Sequence, residues 1–350
     1  MRRVPRLDLT TALFLDLRHS SSELPQWESL TTGVPAALGE IALAPRVAAH
    51  VAQSHGSEAG LVARSTLHAL IDVFTEIPRD GDVVAVDEAA YPTIRYAAAS
   101  ARRPRVSVLT YRHHRPDTVP DTGRRLLIVT EGWCPGCGRP APIAKLGEIA
   151  AESGGMLVVD DSLACGVLGA RKDGEIFGDG TGTIRWLSLR HDRMLWLASF
   201  AKAYGTPIAV VTGPHDSIDR MRATGNRLHS SPPSTPDVLA AWRALALAPE
   251  LHRRRHRLQA VVVALRTALT ALDLPVSGLP FPVVSLPMRP AMAVGWWRRL
   301  RADGIDALVQ LPSCRSGALL SFVVRSQHSP QDISRIALTL RQIKERRSAA

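Results

Sequence analysis

Lys202 stands among Trp196, Leu197, Phe200 and Tyr204, between strand-like runs at residues 194–198 and 208–212. It is one of only four lysines among 43 cationic side chains. Lys145 and Lys344 fall in amphipathic helical patterns and Lys172 in a polar Gly/Asp segment, where solvent accounts for them. An ammonium in the setting of Lys202 is either paired with an acid or neutralised by desolvation, which makes a usable amine nucleophile. The alternative is a stem that packs and a head that snorkels to water. Three acids stand at or just beyond the ends of apolar runs: Asp87 after 83–86, Glu131 after 126–130, and Asp160 closing 156–160. Cys134-Pro-Gly-Cys137 is a CxxC, the spacing of a redox pair or half a metal site. A metal reading needs a second ligand pair, and none is evident in the sequence; Pro135 and Gly136 read as a turn. Ser65 and Thr66 stand at the start of a helical pattern over 64–77, where hydroxyls and free N–H groups cap the helix or bind an anion.

The elements that must position these groups alternate. Short apolar runs at 83–86, 106–110, 126–130, 156–160, 194–198 and 208–212 are interleaved with helical patterns at 92–101 and 142–152. Continuous apolar strands separated by helices predict an α/β domain with a largely parallel sheet covered on both faces. In such a sheet binding groups gather at the carboxyl ends of the strands, where Asp87, Glu131, Asp160 and Lys202 all fall. Residues 1–44 read as an irregular arm, 45–249 as the large domain and 250–350 as a small C-terminal α/β domain. Toward the C-terminus, helices are expected at 235–248, 251–272, 291–303 and 331–346, and strands at 281–287 and 318–324.

Composition bounds the class. The apolar fraction of 45% predicts a globular protein, and no apolar run approaches the roughly 20 residues of a membrane span. The first residues lack a secretory h-region, so a cytoplasmic location is expected. The net charge of +11 is nearly all arginine, and dispersed; aromatics are 5% and no nucleic-acid motif is present. A phosphate-bearing small molecule explains that charge as well as nucleic acid does. Four cysteines are too few for a disulfide framework.

Val158-Val-Asp160-Asp161-Ser ending one strand, with Ser199-Phe-Ala-Lys202-Ala-Tyr-Gly205 after the next, resembles the fold type I pyridoxal-phosphate enzymes. The resemblance is closest to the α-oxoamine synthase group, 8-amino-7-oxononanoate synthase and its relatives, over residues 45–340. It implies that Lys202 is the Schiff-base lysine and that Asp160 pairs with the pyridinium nitrogen, keeping the ring an electron sink. It places Tyr91, in Asp87-Glu-Ala-Ala-Tyr91-Pro, where an aromatic ring stacks on the cofactor. Ser65, Thr66 and Ser199 match the phosphate-holding positions, and His229-Ser230 the segment completing the partner subunit's phosphate site in a homodimer. Glu131-Gly-Trp-Cys-Pro-Gly-Cys-Gly138 resembles a turn of the family beside the cofactor, so the CxxC reads as a rewritten turn and no metal is expected.

The departures lie on the substrate side. The family's histidine three positions after the aspartate is Leu163, and the serine of its turn is Pro135. Its substrate-carboxylate arginine aligns within Leu319-Leu-Ser321, leaving Arg325 or Arg315 as replacements. The implied activity is carbon–carbon bond formation at the α-carbon of an amino acid, with an acyl-CoA or another phosphate-rich cosubstrate. The alternatives are an aminotransferase, or other quinonoid or vinylogous chemistry in specialised metabolism. A non-catalytic basic binding protein would carry no chromophore.

Overall fold

The computed structural model describes residues 5–30, 32–101, 105–190 and 193–348; Met1 to Val4, where the expected absence of a leader was read, lie outside them. The arm carries β1 (Leu7–Asp8) and two single 3-10 turns before α1 (Ala44–His55). There follow β2 (Ala59–Ala63), α2 (Thr66–Glu76), β3 (Val83–Asp87), α3 (Pro92–Ala98), β4 (Ser107–Tyr111) and β5 (Leu126–Glu131). A short hairpin, β6 (Trp133–Cys134) and β7 (Arg139–Pro140), leads to α4 (Ile143–Glu152), β8 (Met156–Asp160), α5 (Thr183–Trp186), β9 (Met194–Ser199) and β10 (Ala209–Gly213). The chain continues through α6 (His215–Arg222), α7 (Gly225–Leu228), α8 (Thr235–Ala246) and α9 (Ala248–Thr270). It closes with β11 (Val283–Met288), α10 (Pro290–Ala302), β12 (Ile305–Asp306), β13 (Leu308–Gln310), β14 (Ala318–Val323) and α11 (Pro330–Ser348).

Seven strands form the main sheet in the order β2-β10-β9-β8-β5-β3-β4. All neighbouring pairs are parallel except those of β10, which runs against both β2 and β9. The expected parallel sheet therefore holds with one reversed strand. The apolar runs are continuous because both faces are covered. Val83, Ala85, Ile128, Leu157 and Val159 enter one core with α1, α4 and α9. Their alternates Val84, Val86, Leu127, Val129 and Val158 enter a second core with α2, α3 and α6. Strand β2 is the element that helical periodicity on either side concealed. The helix expected over 92–101 instead divides into α3 and a 3-10 turn, Ala99–Ala101.

A second sheet, β11-β14-β13, is antiparallel. The arm docks beside it: β1 pairs in parallel with β12, and the Val323 N–H donates to the Leu9 carbonyl. Leu9, Phe14 and Leu15 are fully buried and share a core with Phe281 and Phe322, so the arm is part of the packed body. Among the described residues no helix is long and apolar enough to cross a membrane.

Candidate active site

Strand register brings the chemistry to one edge. Glu131 pairs with Asp160, and Asp160 with Leu197 of β9, so Lys202 follows just past that strand's end. Reversed β10 carries the same edge across to β2: Ala209 pairs with Ser199 on one side and with Ala63 on the other. Arg64, Ser65 and the first turn of α2 therefore begin level with the end of β9. One edge thus holds Lys202, Ser199, Asp160, Glu131 and the start of α2.

Ser65 is the N-cap of α2 in an extended conformation; its Oγ accepts from the His68 N–H at 3.4 Å and lies 2.9 Å from His68 Nδ1. Burial and Arg64 hold His68 below the usual imidazole range. Thr66 opens the helix, whose first N–H groups face this edge with the positive end of the helix dipole. Ser199 Oγ accepts from the Ala201 N–H at 3.2 Å.

Ser162 ties the two carboxyl ends together, a role no spacing pattern announced. Its N–H donates to Asp160 Oδ1 at 3.0 Å, and its Oγ accepts from the Ser199 N–H at 2.9 Å. Burial pushes the Asp160 carboxyl up, against the opposing pull of Ser162 and Lys202. A cationic ring nitrogen set against Asp160 would restore its ionised form. Asp160, a half-buried amine and a helix start on one edge are the donor set that pyridoxal phosphate requires: acid, amine and phosphate cradle.

Glu131 lies between two like charges. Burial, Asp160 and Asp87 push its carboxyl up to about 8, while a backbone hydrogen bond from Tyr91 and the nearby His113 oppose them. Tyr91 is 58% exposed, so its ring is open to stacking. Tyr91, Glu131, Arg95, Gln310 and Cys314 line one cavity of about 260 Å³. Arg95 and Gln310 were not singled out from the sequence. Arg95 sits one turn along α3 from Tyr91, the i, i+4 spacing that could have flagged it.

His229 and Ser230 end α7 and line a cavity with Arg64, the residue before Ser65. Leu163, where the family has its histidine, is partly buried against the core. Ser321, at the position of the family's arginine region, is fully buried, 2.8 Å from Ser285 Oγ and donating to Gln310 Oε1 at 3.0 Å.

Arg325, one of the two candidate substitutes for the family's arginine, is held by the arm. Its guanidinium is buried and lies 3.3 Å from Asp16 Oδ1 and 3.4 Å from Asp8 Oδ2, both on the arm. That charge ties the arm to the end of β14. Arg315 is exposed and donates to Ser277 Oγ at 3.2 Å.

The turn expected at Pro135–Gly136 forms within a short hairpin: Trp133 pairs with Pro140, and the Gly138 N–H closes the turn onto the Cys134 carbonyl at 2.9 Å. The fold also carries Cys314 and His113 to the two cysteines, a convergence that the sequence did not disclose.

The family model for class I and II aminotransferases matches residues 24–319. An 8-amino-7-oxononanoate synthase from Halorhodospira halophila is 30% identical over 299 residues, 82% of this chain and 71% of its own. A serine palmitoyltransferase from Caulobacter vibrioides is 26% identical over 328 residues, 89% of this chain and 78% of its own. The crystal structure of 8-amino-7-oxononanoate synthase from Francisella tularensis superposes with a TM-score of 0.79 at 19% identity, covering 99% of each chain. The chain belongs to the class I and II aminotransferase family, in its α-oxoamine synthase group. It is an enzyme of that class with the corresponding fold.

Proposed function

We propose that the protein is a pyridoxal-phosphate-dependent synthase that joins an acyl group, delivered as a thioester, to the α-carbon of an amino acid. The observation that carries this reading is the placement of Lys202 and the buried Asp160 at adjacent strand ends, in a chain 30% identical to an 8-amino-7-oxononanoate synthase. In this reading residues 45–249 hold the cofactor, and residues 250–350 with the arm, 1–44, form the smaller unit. The active form is a cytoplasmic homodimer, in which His229 and Ser230 complete the partner's phosphate site.

Pyridoxal phosphate, when bound, supplies the electron sink for bond changes at the amino acid's α-carbon. Lys202 would hold the aldehyde and would carry the proton at that α-carbon. Asp160 holds the proton on the ring nitrogen. Ser65, Thr66, Ser199 and the first N–H groups of α2 would bind the phosphate, and Tyr91 would stack on the ring. Glu131 lines the same pocket beside Tyr91. Arg95 and Arg315, on the pocket wall and near its rim, supply the positive charge for the phosphates or carboxylates of the two substrates.

Release of free thiol from acyl-CoA, dependent on one member of an amino-acid panel, tests the proposal. Thiol release with that amino acid supports synthase chemistry. Conversion of the bound cofactor to its amine form by an amino donor alone, without thiol release, would instead make the enzyme an aminotransferase.

A further inference from the structure

Beside the Tyr91 pocket, three cysteines and a histidine from three remote segments converge. Cys134 and Cys137 belong to the β6–β7 hairpin, His113 follows β4, and Cys314 lies in the β13–β14 loop, 180 positions beyond Cys134. Cys134 Sγ is 3.7 Å from Cys314 Sγ, and Cys137 Sγ is 3.6 Å from His113 Nε2. The ligand atoms of His113, Cys134 and Cys314 all lie within 4.8 Å of one another. A tetrahedral zinc with Zn–S of about 2.3 Å and Zn–N of about 2.0–2.1 Å separates its ligands by roughly 3.8 Å (S to S) and 3.6 Å (S to N). The Cys134–Cys314 and Cys137–His113 spacings are those of such a shell, with His113 shared between the group of Cys134 and Cys314 and a second group of Cys137 and His114.

The outer partner is also in place. His113 Nδ1 lies 2.9 and 3.0 Å from the two oxygens of Asp87, a carboxylate that is 2% exposed. With Nδ1–H donating to Asp87, the lone pair of Nε2 points among the sulfurs, the carboxylate–histidine–metal arrangement that orients zinc ligands. The turn is fitted to its neighbour: a Cβ on Gly136 would come 2.5 Å from Cys314 Sγ. Thiols are weak hydrogen-bond donors and acceptors, so the four groups satisfy each other poorly without a cation.

We propose that Cys134, Cys137, Cys314 and His113 bind one zinc ion, with Asp87 as the outer carboxylate. Four protein ligands make it a closed, structural site. It fastens the β13–β14 loop to the hairpin and to the chain after β4, fixing the wall of the pocket that Tyr91, Glu131 and Gln310 share. His114 stacks on His113 at 3.8 Å and places Nδ1 3.8 Å from Cys137 Sγ, so it flanks the Cys137 side of the cluster within ligand distance. The inference stands on these spacings and does not depend on the reaction proposed above.

Elemental analysis of protein purified under reducing conditions and without chelators tests it. About one zinc per chain is expected. Cobalt exchanged into the site should give the thiolate-to-metal and d–d bands of a tetrahedral sulfur-rich centre. Cys314→Ser should lose the stoichiometric metal, and Asp87→Asn should weaken zinc about 10- to 100-fold in competition with a chromophoric chelator. Because a variant could fail to fold, the wild-type chain decides the matter. Reduced wild-type protein that neither carries zinc nor takes up added zinc or cobalt would overturn the proposal. So would a Cys134–Cys314 disulfide in freshly isolated, metal-free protein.

Discussion

Asp160 and Asp161 are adjacent in sequence, yet the end of β8 gives them opposite surroundings. Asp161 receives the Thr183 N–H and hydroxyl at 2.6 Å each and the Trp196 indole N–H at 2.9 Å. Asp160 is met by Ser162 and faces Lys202. Asp161 is saturated by the fold, whereas Asp160 has bonding capacity directed at the site.

The two should therefore respond differently to the same substitution. Asp161→Asn turns one carboxylate oxygen into a donor facing donors, and should cost about 1–3 kcal/mol of stability in denaturant titration. Asp160→Asn should leave the melting temperature nearly unchanged and lower turnover by at least about 100-fold, the scale of a lost electrostatic partner in a closed site. Equal stability losses in the two variants would contradict the division of roles.

Much of this edge was legible in the sequence. Continuous apolar runs marked the buried strands, and a lone lysine in apolar company stood out because nearly every other cation is an arginine. What was hidden depended on register and remote pairing. Strand β2 lay between two helical patterns. The destination of Arg325 depended on where the arm docks, and Cys314 reaches Cys134 only when the second sheet packs on the first. The motif alone could not distinguish Asp160 from Asp161 by their donors; that came from the positions of Thr183 and Trp196.

Asp72 should make stability depend on pH. Burial pushes its carboxyl up to about 6 from 3.8, with Glu76 adding to the rise and Thr224 and Arg227 opposing it. A raised folded-state value means that Asp72 favours the fold fully below about pH 4, and that this contribution is lost as pH rises through about 6. Asp72→Asn keeps an acceptor for Thr224, whose hydroxyl donates at 2.9 Å, and removes the titration. Melting curves from pH 4 to 8 should show the variant gaining on the wild type between about pH 4 and 6 and holding a constant lead above that. A constant difference across the whole range would contradict the assignment.

The arm should depend on Arg325. Arg325→Ala leaves Asp8 and Asp16 without their shared cation and should destabilise by about 2–3 kcal/mol, since removing one member of a buried pair strands its partners. Arg325→Met keeps the apolar stem and should lose less. Both variants should still bind cofactor, because the Arg325 guanidinium is engaged by Asp8 and Asp16. Loss of the cofactor from well-folded Arg325→Met would contradict this placement.

The central claim is that Lys202 carries the cofactor, and reductive trapping tests it most directly. Borohydride reduction of the purified protein with pyridoxal phosphate, followed by peptide mass spectrometry, should find a phosphopyridoxyl group on Lys202 in near-stoichiometric yield. Lys145, Lys172 and Lys344 should stay unmodified, and Lys202→Ala should abolish both the adduct and the visible absorbance band. A stoichiometric adduct on another lysine, or none on Lys202, would contradict the account.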